Sequence, residues 1–530
     1  MKKKYFDIHK PVFWPATILI VLFISITLIV GEPMAQVFSN TQNAISHNFG
    51  WLFIIAVNLF FIFSLVIGFG KYGGIRLGGE KAEKEFSTTA WFAMLFSAGM
   101  GIGILFWGVA EPVFHYMNPP VGEGRTIESA QNAMDLSFLH WGFHAWGIYA
   151  LVGLSLAFFA FNRNQPLTIK SVFLPLLGKR VNGPIGNVID VFAVLATLFG
   201  LATSLGLGVK QVSGGLHHVF GTPNTVGMQV FLIIIITMAA TVSVITGIKR
   251  GVRFLSEWNV RIAGLLLLVV LIIGPTLFIL KSFVQNTGGY INSILQVASW
   301  TEAFKDVGWQ GSWTVFYWAW WISWSPFVGM FIARVSKGRT IREFIFGVLL
   351  VPSLITFLWL TAFGGSAIWM DLKGTADNLG ERIIADESTA LFVFFEQFPF
   401  GSVASILGVM LVISFFITSS DSGSLVIDSI TAGGKLDAPV GQRVFWANTE
   451  GAVAAVLLLG GGLTALQTAA VTTGLPFLII LVIMIYSLLK GLKSELAREK
   501  YLSQTEDQKS YEKKIAGMIA KRVSKKEDKK

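Results

Sequence analysis

The chain contains no cysteine among its 530 residues, and only 14% of its residues are charged. The lack of thiols excludes disulfide bonds, thiolate metal sites and iron–sulfur clusters. The scarcity of charge excludes an ordinary soluble domain, in which about a quarter of the residues are charged. A soluble enzyme or a nucleic-acid-binding protein is therefore disfavoured from the outset.

Hydrophobic residues make up 53% of the chain and fall into long apolar runs. A helix needs about 20 such residues to cross the hydrocarbon core of a bilayer. The sequence therefore predicts an all-α polytopic membrane protein whose twelve transmembrane helices lie at 12–31, 51–70, 88–110, 137–161, 188–209, 228–247, 259–283, 312–333, 344–366, 402–428, 444–466 and 469–490. An even number of spans places both termini on one side of the membrane.

Basic residues collect in alternate loops, for example around Lys179 and Arg334, whereas the segments 111–135 and 371–387 are acidic. Because lysine and arginine favour cytoplasmic loops, this pattern predicts a multi-pass cell-membrane protein with both termini in the cytoplasm. The formal charge of +10 is then an orientation signal. It offers a surface for anionic lipid and indicates no nucleic-acid partner.

Three segments lie outside the main body of spans. Residues 1–11 form a cytoplasmic N-terminus, and 284–311 contains an outer segment with the spacing of an amphipathic helix. The charged tail 491–530 has two open interpretations. It is either a helix that lies on anionic lipid and carries a regulatory signal, or a solvated tail that fixes topology.

Span three carries three alternating glycines near mid-membrane, at Gly99, Gly101 and Gly103. Each glycine weakens a helix by about 1 kcal/mol relative to alanine, so the pattern favours a helix break. A break inside the membrane is tolerated where it lines a cavity, and its free backbone groups can bind an anionic substrate or a cation. The alternative is close helix packing, although packing glycines are usually spaced by four.

Aromatic residues crowd onto single faces of spans four and eight. Trp141, Trp146 and Tyr149 share one face, and the second group contains Tyr317, Trp320, Trp321, Trp324 and Phe331. Interfacial anchoring is the alternative, but clusters that reach mid-membrane do not fit an interfacial belt. No acidic or basic side chain is expected among these rings. An uncharged aromatic cage suits a quaternary ammonium group, which binds ring faces by cation–π attraction.

Span ten places Thr418 and Ser419 at a depth similar to that of the span-three break. Two hydroxyls, together with carbonyls freed by a break, would form an oxygen cage for a hard cation such as sodium. The alternative is that the hydroxyls bond back to the preceding helical turn. Asp421 either attracts a cation or is a capped residue near the inner surface, and both interpretations stay open.

His140 and His144 have a spacing that could hold zinc, but no glutamate or third ligand accompanies them in the sequence. Packed or hydrogen-bonded histidines are the default interpretation. No nucleotide-binding or serine-nucleophile motif stands out either. The chain is therefore not expected to be an enzyme.

These motifs resemble the betaine/choline/carnitine transporter family. The resemblance is carried by Gly99-Met-Gly-Ile-Gly103, by the aromatic residues of span four, by the stretch from Trp318 to Gly329, and by 415–419. It covers all twelve spans in order. It implies a leucine-transporter type of 5+5 inverted repeat with halves 88–283 and 312–490, preceded by two extra helices in 12–87, and usually a homotrimer.

The resemblance also implies two sites. Substrate would bind at residues of the cage and of the glycine string, namely Trp141, Trp146, Tyr149, Trp321, Trp324, Gly99, Met100, Gly101 and Gly103. Sodium would bind the carbonyls of Ser97, Met100 and Phe415 and the hydroxyls of Thr418 and Ser419.

Two positions refine what the resemblance implies. Choline-transporting members tend to have aspartate at the last glycine of the string, so Gly103 favours glycine betaine. A second sodium site would involve Thr197 and Phe327, but Leu201 stands where a second threonine is expected, and an aliphatic side chain cannot ligate sodium.

The expected function is import of glycine betaine, a compatible solute, by sodium symport for osmoprotection. No cofactor is expected, and sodium is the coupling ion. Choline, carnitine and dimethylsulfoniopropionate are alternative substrates, and a gated channel is the alternative from another class.

Overall fold

The structure is a computed structural model that describes residues 5–99, 101–246, 249–305, 307–435 and 438–527. The described part is helical, with one isolated β-bridge between Arg76 and Thr340. Its long helices are α1 Lys10–Val30, α2 Met34–Phe69, α3 Thr88–Gly99, α4 Ile102–Met117, α5 Ile127–Trp141, α6 Phe143–Arg163, α7 Pro184–Phe220, α8 Val226–Thr246, α9 Lys249–Ile273, α10 Thr276–Ser299, α11 Thr314–Val335, α12 Ile341–Leu360, α13 Gly401–Thr431 and α14 Val440–Glu527.

Nine helical stretches in the described residues are long and apolar enough to cross a membrane. There are ten if the bent pair Thr88–Ser97 and Ile102–Met117 counts as one span. The protein is therefore a multi-pass helical membrane protein, as the composition predicted.

Several helix ends differ from the predicted ones because glycine and proline outweigh local hydropathy. Span seven, predicted over 259–283, stops at Ile273, where Gly274 and Pro275 separate α9 from α10. The junction predicted between residues 466 and 469 lies earlier, at Gly461 and Gly462 inside α14. Gly462 has φ of 59° and ψ of −131°, a backbone conformation that favours glycine.

A buried helix, α7, organises the centre of the molecule. It packs against α11, α13 and α14, and α11 also packs against α6. The aromatic helices α6 and α11 therefore meet beside α7 and α13. This arrangement brings together residues that are far apart in the sequence.

Candidate functional site

A cavity of about 230 Å³ lies between α4, α5, α6, α7, α9, α11 and α13. All the side chains that line it within the described residues are uncharged. Along α11 the lining runs from Trp320 to Phe331, a distance of about 16 Å at 1.5 Å per residue. The cavity is thus an uncharged pocket that extends along α11 toward its last turn, which contains Arg334.

The break predicted in span three is present. α3 ends at Gly99, α4 begins at Ile102, and the two segments are bent by 65°. Gly101 is extended, with φ of −166° and ψ of −171°, and it lines the cavity together with Ser97. The first N–H groups of α4 have no intrahelical partners, so this end of the helix suits a carboxylate. Met100 and the surroundings of Gly99 lie outside the part of the chain that the structure describes.

Gly103 lies where two aromatic rings approach the backbone of α4. A Cβ atom at this position would lie 2.9 Å from Trp320 Cη2 and 3.0 Å from Trp141 Cη2. Both distances are shorter than normal carbon contacts. Glycine is therefore required for the close approach of the rings, which gives a steric reason for the residue that the resemblance singled out.

The five aromatic residues of the predicted substrate site all line the cavity, as do Trp320 and Phe331 of the predicted span-eight face, whereas Tyr317 of that face is not in the lining. The Trp141 and Trp321 rings meet edge to face at 4.9 Å, and Trp320 stacks on Trp321 at 4.7 Å. Trp146 lies 5.4 Å from Tyr149, which lies 6.3 Å from Trp321. These rings, called the aromatic cage below, are in direct contact with each other, so a cation would lie on their cavity-facing surfaces.

Three indole N–H groups at the cavity already donate to acceptors of the protein. Trp321 Nε1 donates to the His140 carbonyl at 2.8 Å, and Trp324 Nε1 to the Gly200 carbonyl at 2.8 Å. Trp320 Nε1 donates to Ser204 Oγ at 3.1 Å. Because these donors are occupied, the rings offer a ligand their π faces.

The expectation that no acidic side chain lies among the rings is wrong. Glu111 is fully buried, and its Oε2 accepts hydrogen bonds from Trp141 Nε1 at 2.6 Å and Tyr317 OH at 2.5 Å. The predicted span ended at residue 110, but α4 continues to Met117. Apolar residues on both sides of Glu111, such as Val109 and Val113, were the available signal. Glu111 lies behind the cage and is not part of the cavity lining.

The expectation that no glutamate accompanies His140 and His144 is wrong for His140. His140 Nδ1 lies 2.6 Å from Glu111 Oε1, and His115 Nε2 lies 3.4 Å from the same oxygen. Glu111, His115 and His140 form a buried group whose ligand atoms lie within 4.8 Å of one another. His144 does not join them, and its Nε2 contacts Asn58 Oδ1 at 3.1 Å.

α13 is helical through residues 401–431, so the break that could free carbonyls near Thr418 is the one between α3 and α4. Thr418 Oγ1 lies 3.0 Å from the Ser414 carbonyl and 3.2 Å from the Phe415 carbonyl, which is the back-bonded alternative. Nevertheless Phe415, Thr418 and Ser419 line the same cavity as Ser97.

Asn259 on α9 is a site residue that the sequence analysis missed. It lines the cavity, is 2% exposed, and its Nδ2 lies 3.3 Å from Thr418 Oγ1. Its Oδ1 has no hydrogen-bond partner. Turning the amide by 180° would present this oxygen beside the Thr418 hydroxyl. The available signal was an amide within an otherwise apolar run.

The residues considered for a second sodium site are not brought together at the cavity. Phe327 lines the cavity and packs edge to face on Trp324 at 5.2 Å. Thr197 is buried and donates to the Ala193 carbonyl at 2.7 Å, and it is not part of the lining. Leu201 packs against Gly423. Asp421 is likewise outside the lining.

Charged contacts connect the two halves of the chain on the side opposite Arg334. Lys210 Nζ lies 2.7 Å from Glu387 Oε1, and Arg125 pairs with Glu381. A backbone hydrogen bond within Glu381, followed by its pairing with Arg125, keeps the pKa of Glu381 below its usual value. Because the pKa is lowered, this pair stays charged at neutral pH and is lost only in acid.

The fold and the cavity together define a multi-pass helical membrane protein with a solute-sized, aromatic-lined pocket at its centre. A sequence model of the betaine/carnitine/choline family of transporters matches residues 11–497. Glycine betaine transporter 1 of Vibrio parahaemolyticus is 49% identical over 503 residues, which is 93% of this chain and 96% of the relative. The glycine betaine transporter OpuD of Bacillus subtilis is 44% identical over 488 residues, covering 91% and 94% of the two chains.

A third relative, a glycine betaine/proline/choline/ectoine transporter of V. parahaemolyticus, is 47% identical over 507 residues, covering 94% of this chain and 89% of the relative. The chain belongs to the betaine/carnitine/choline transporter family. The predicted family is confirmed, and so is the prediction of a transporter rather than an enzyme.

Proposed function

We propose that this protein is a secondary transporter that imports glycine betaine together with sodium and thereby serves osmoprotection. The observation that carries the proposal is the uncharged aromatic cage beside the broken helix α3–α4. Ring faces attract the trimethylammonium group, while the N–H groups at the start of α4 suit the carboxylate. A zwitterion without N–H donors matches both ends of this pocket.

Glycine betaine is favoured over its alternatives by the tight packing around Gly103, since the rings leave no room for the aspartate of choline-transporting members. Two relatives named above are glycine betaine transporters. The third has choline, proline and ectoine in its name, so choline, carnitine and dimethylsulfoniopropionate remain the alternative substrates.

The proposed sodium site lies between Ser97 and the Phe415–Ser419 turn. The carbonyls of Ser97, Met100 and Phe415 and the hydroxyls of Thr418 and Ser419 would supply oxygen ligands, which a hard cation prefers. With its amide turned by 180°, Asn259 would add its Oδ1 as a further oxygen beside Thr418. The site therefore needs no break in α13, because side-chain oxygens and the broken α3–α4 segment supply the ligands.

Alternating access is proposed to operate in a twelve-span fold with a 5+5 inverted repeat over 88–283 and 312–490. Both termini are assigned to the cytoplasm by the positive-inside pattern. The cavity extends toward Arg334 on this inner side, while ion pairs such as Lys210–Glu387 lie on the opposite side. The conformation is accordingly assigned as inward-facing. A homotrimer and contact of basic loops and tail with anionic lipid complete the proposal.

Sodium coupling would supply enough energy for accumulation. One sodium ion moving inward through 100 mV releases about 2.3 kcal/mol, and a tenfold gradient adds about 1.4 kcal/mol. Together these terms sustain roughly a 500-fold accumulation of a neutral solute. A gated channel, the alternative from another class, cannot concentrate its solute.

The test is uptake of radiolabelled glycine betaine, choline and carnitine into proteoliposomes with and without an inward sodium gradient. Saturable accumulation of glycine betaine that requires the gradient is expected. Accumulation of choline or carnitine, but not of glycine betaine, would make that solute the substrate. Equilibration without accumulation would indicate a channel. Uptake that is the same with and without the sodium gradient would contradict sodium coupling.

A further inference from the structure

The carboxylate of Glu111 on α4 is held by side chains from two other helices. Besides Trp141 and Tyr317 on Oε2, it contacts His140 Nδ1 through Oε1 at 2.6 Å. An indole N–H can only donate, so Oε2 acts as an acceptor in this arrangement. Charge-assisted hydrogen bonds of this kind are roughly twice as strong as neutral ones. Glu111 thus ties Trp141 on α5 and Tyr317 on α11 to α4.

His140 connects the same carboxylate to the second cage ring. Its Nε2 lies 2.9 Å from Thr314 Oγ1, and its backbone carbonyl accepts the Trp321 N–H. That carbonyl is free because α5 ends at Trp141 and α6 begins only after Gly142. A Cβ atom at Gly142 would lie 2.4 Å from the Phe138 carbonyl oxygen, so the local backbone excludes other residues.

We propose that Glu111 and His140 form a buried hub that holds the Trp141 and Trp321 rings in register and thereby sets the affinity of the cage for a quaternary ammonium group. The proposal rests on the proposed function, because it assumes that the cage binds such a group. An anion bonded to an indole N–H also increases electron density in the ring, which strengthens attraction of a cation to its face. Both residues are positioning residues, since neither lines the cavity.

A metal ion at the same residues is disfavoured by the geometry. Nitrogen and oxygen ligands of zinc lie about 2.0–2.2 Å from the metal, which separates neighbouring ligand atoms by about 3.3 Å. Glu111 Oε1 and His140 Nδ1 are 2.6 Å apart, which is a hydrogen-bond distance. The second oxygen of Glu111 is occupied by two donors.

The test measures equilibrium binding of glycine betaine and of tetramethylammonium to the purified protein. Glu111→Gln keeps the shape but removes the charge, and it should weaken both ligands about tenfold, as expected for a lost charge-assisted bond. In a Trp141→Phe background, Glu111→Gln should lower the affinity by less than in the wild type, because the Glu111–Trp141 bond is already lost and only the contacts with His140 and Tyr317 remain. Asp190→Asn is the control, since Asp190 is a buried carboxylate that pairs with Lys170 at 3.2 Å and does not line the cavity.

A readout without ligand separates this inference from the proposed function. In protein labelled with 5-fluorotryptophan, the ¹⁹F resonance of Trp141 should shift in Glu111→Gln and stay in place in Asp190→Asn. If the wild type binds tetramethylammonium but not glycine betaine, the proposal that glycine betaine is the substrate is wrong. The affinities for tetramethylammonium then still test the hub. If the wild type binds neither ligand, the aromatic cage assignment and the affinity role of the hub both fail.

Three results would overturn the hub. These are unchanged affinity of Glu111→Gln, additive effects of the two substitutions, and an unmoved Trp141 resonance. Stoichiometric zinc bound to the wild-type protein would show that these residues form a metal site and not the proposed hub. Tyr317→Phe removes one donor to Glu111 and keeps the ring, so it serves as the second variant if Glu111→Gln does not fold. Its affinity should fall about threefold, and wild-type affinity would contradict the hub.

Discussion

Adding one methyl group at Gly103 should impair substrate binding while leaving the protein folded. The new Cβ would lie 2.9 Å from Trp320 and 3.0 Å from Trp141, whereas carbon atoms prefer about 3.5–4.0 Å. The rings would have to move by about 0.5–1 Å. They cannot do so freely, because Trp141 is bonded to Glu111 and Trp320 to Ser204.

Overpacking of this kind costs about 1–3 kcal/mol, which corresponds to a loss of affinity between roughly fivefold and a hundredfold. The global stability should change less, because alanine is about 1 kcal/mol more favourable than glycine in a helix. We therefore expect Gly103→Ala to raise the dissociation constant of glycine betaine about tenfold, with a thermal midpoint close to that of the wild type.

Gly101→Ala is the matched control, two residues away on the same broken helix. No atom lies within 4 Å of its added Cβ, and its extended φ of −166° suits any residue. Its affinity should stay within about threefold of the wild type. Wild-type affinity for Gly103→Ala, or an equal loss in both variants, would refute the steric explanation.

Three further predictions address the cage, the sodium site and the outer ion pair. Trp321→Ala should raise the apparent substrate constant more than tenfold in uptake assays, since it removes a ring worth up to about 2 kcal/mol, and unchanged uptake would remove Trp321 from the cage. Thr418→Ala combined with Ser419→Ala should abolish sodium dependence, and retained dependence would relocate the ion. Lys210→Met should increase outside labelling of a single cysteine placed in the cavity of this cysteine-free chain, by about fivefold for a 1 kcal/mol pair. The exchange Lys210→Glu with Glu387→Lys should reverse the effect, and equal labelling in all three proteins would contradict an outer closing role.

Local sequence features were sufficient to predict the membrane class, the break at Gly101 and the residue types of the cage. Composition and run length decide burial in a bilayer, because every backbone polar group must be satisfied within the helix. The glycine pattern identified the α3–α4 break since it acts through local backbone energetics. The family resemblance depended on short strings of residues, so it too was available from the sequence.

Sequence periodicity was misleading where helix ends depend on packing or on neighbouring helices. Gly142 interrupts the fourth span without an alternating pattern, and its need for glycine comes partly from Phe357 on α12. Such outcomes depend on contacts between distant segments.

The low charge of the chain shows how few charged residues the spans contain. Only the tertiary structure shows where such a residue lies relative to the site. The sequence by itself determined that few charges lie within the spans and that aromatic residues dominate two of them. Only the packing of α4, α5 and α11 placed the carboxylate of Glu111 behind Trp141 and Tyr317, and only the packing of α9 against α13 placed the amide of Asn259 beside Thr418. The physical reason is that a buried polar group is defined by the partners that satisfy it, and here those partners lie on other helices.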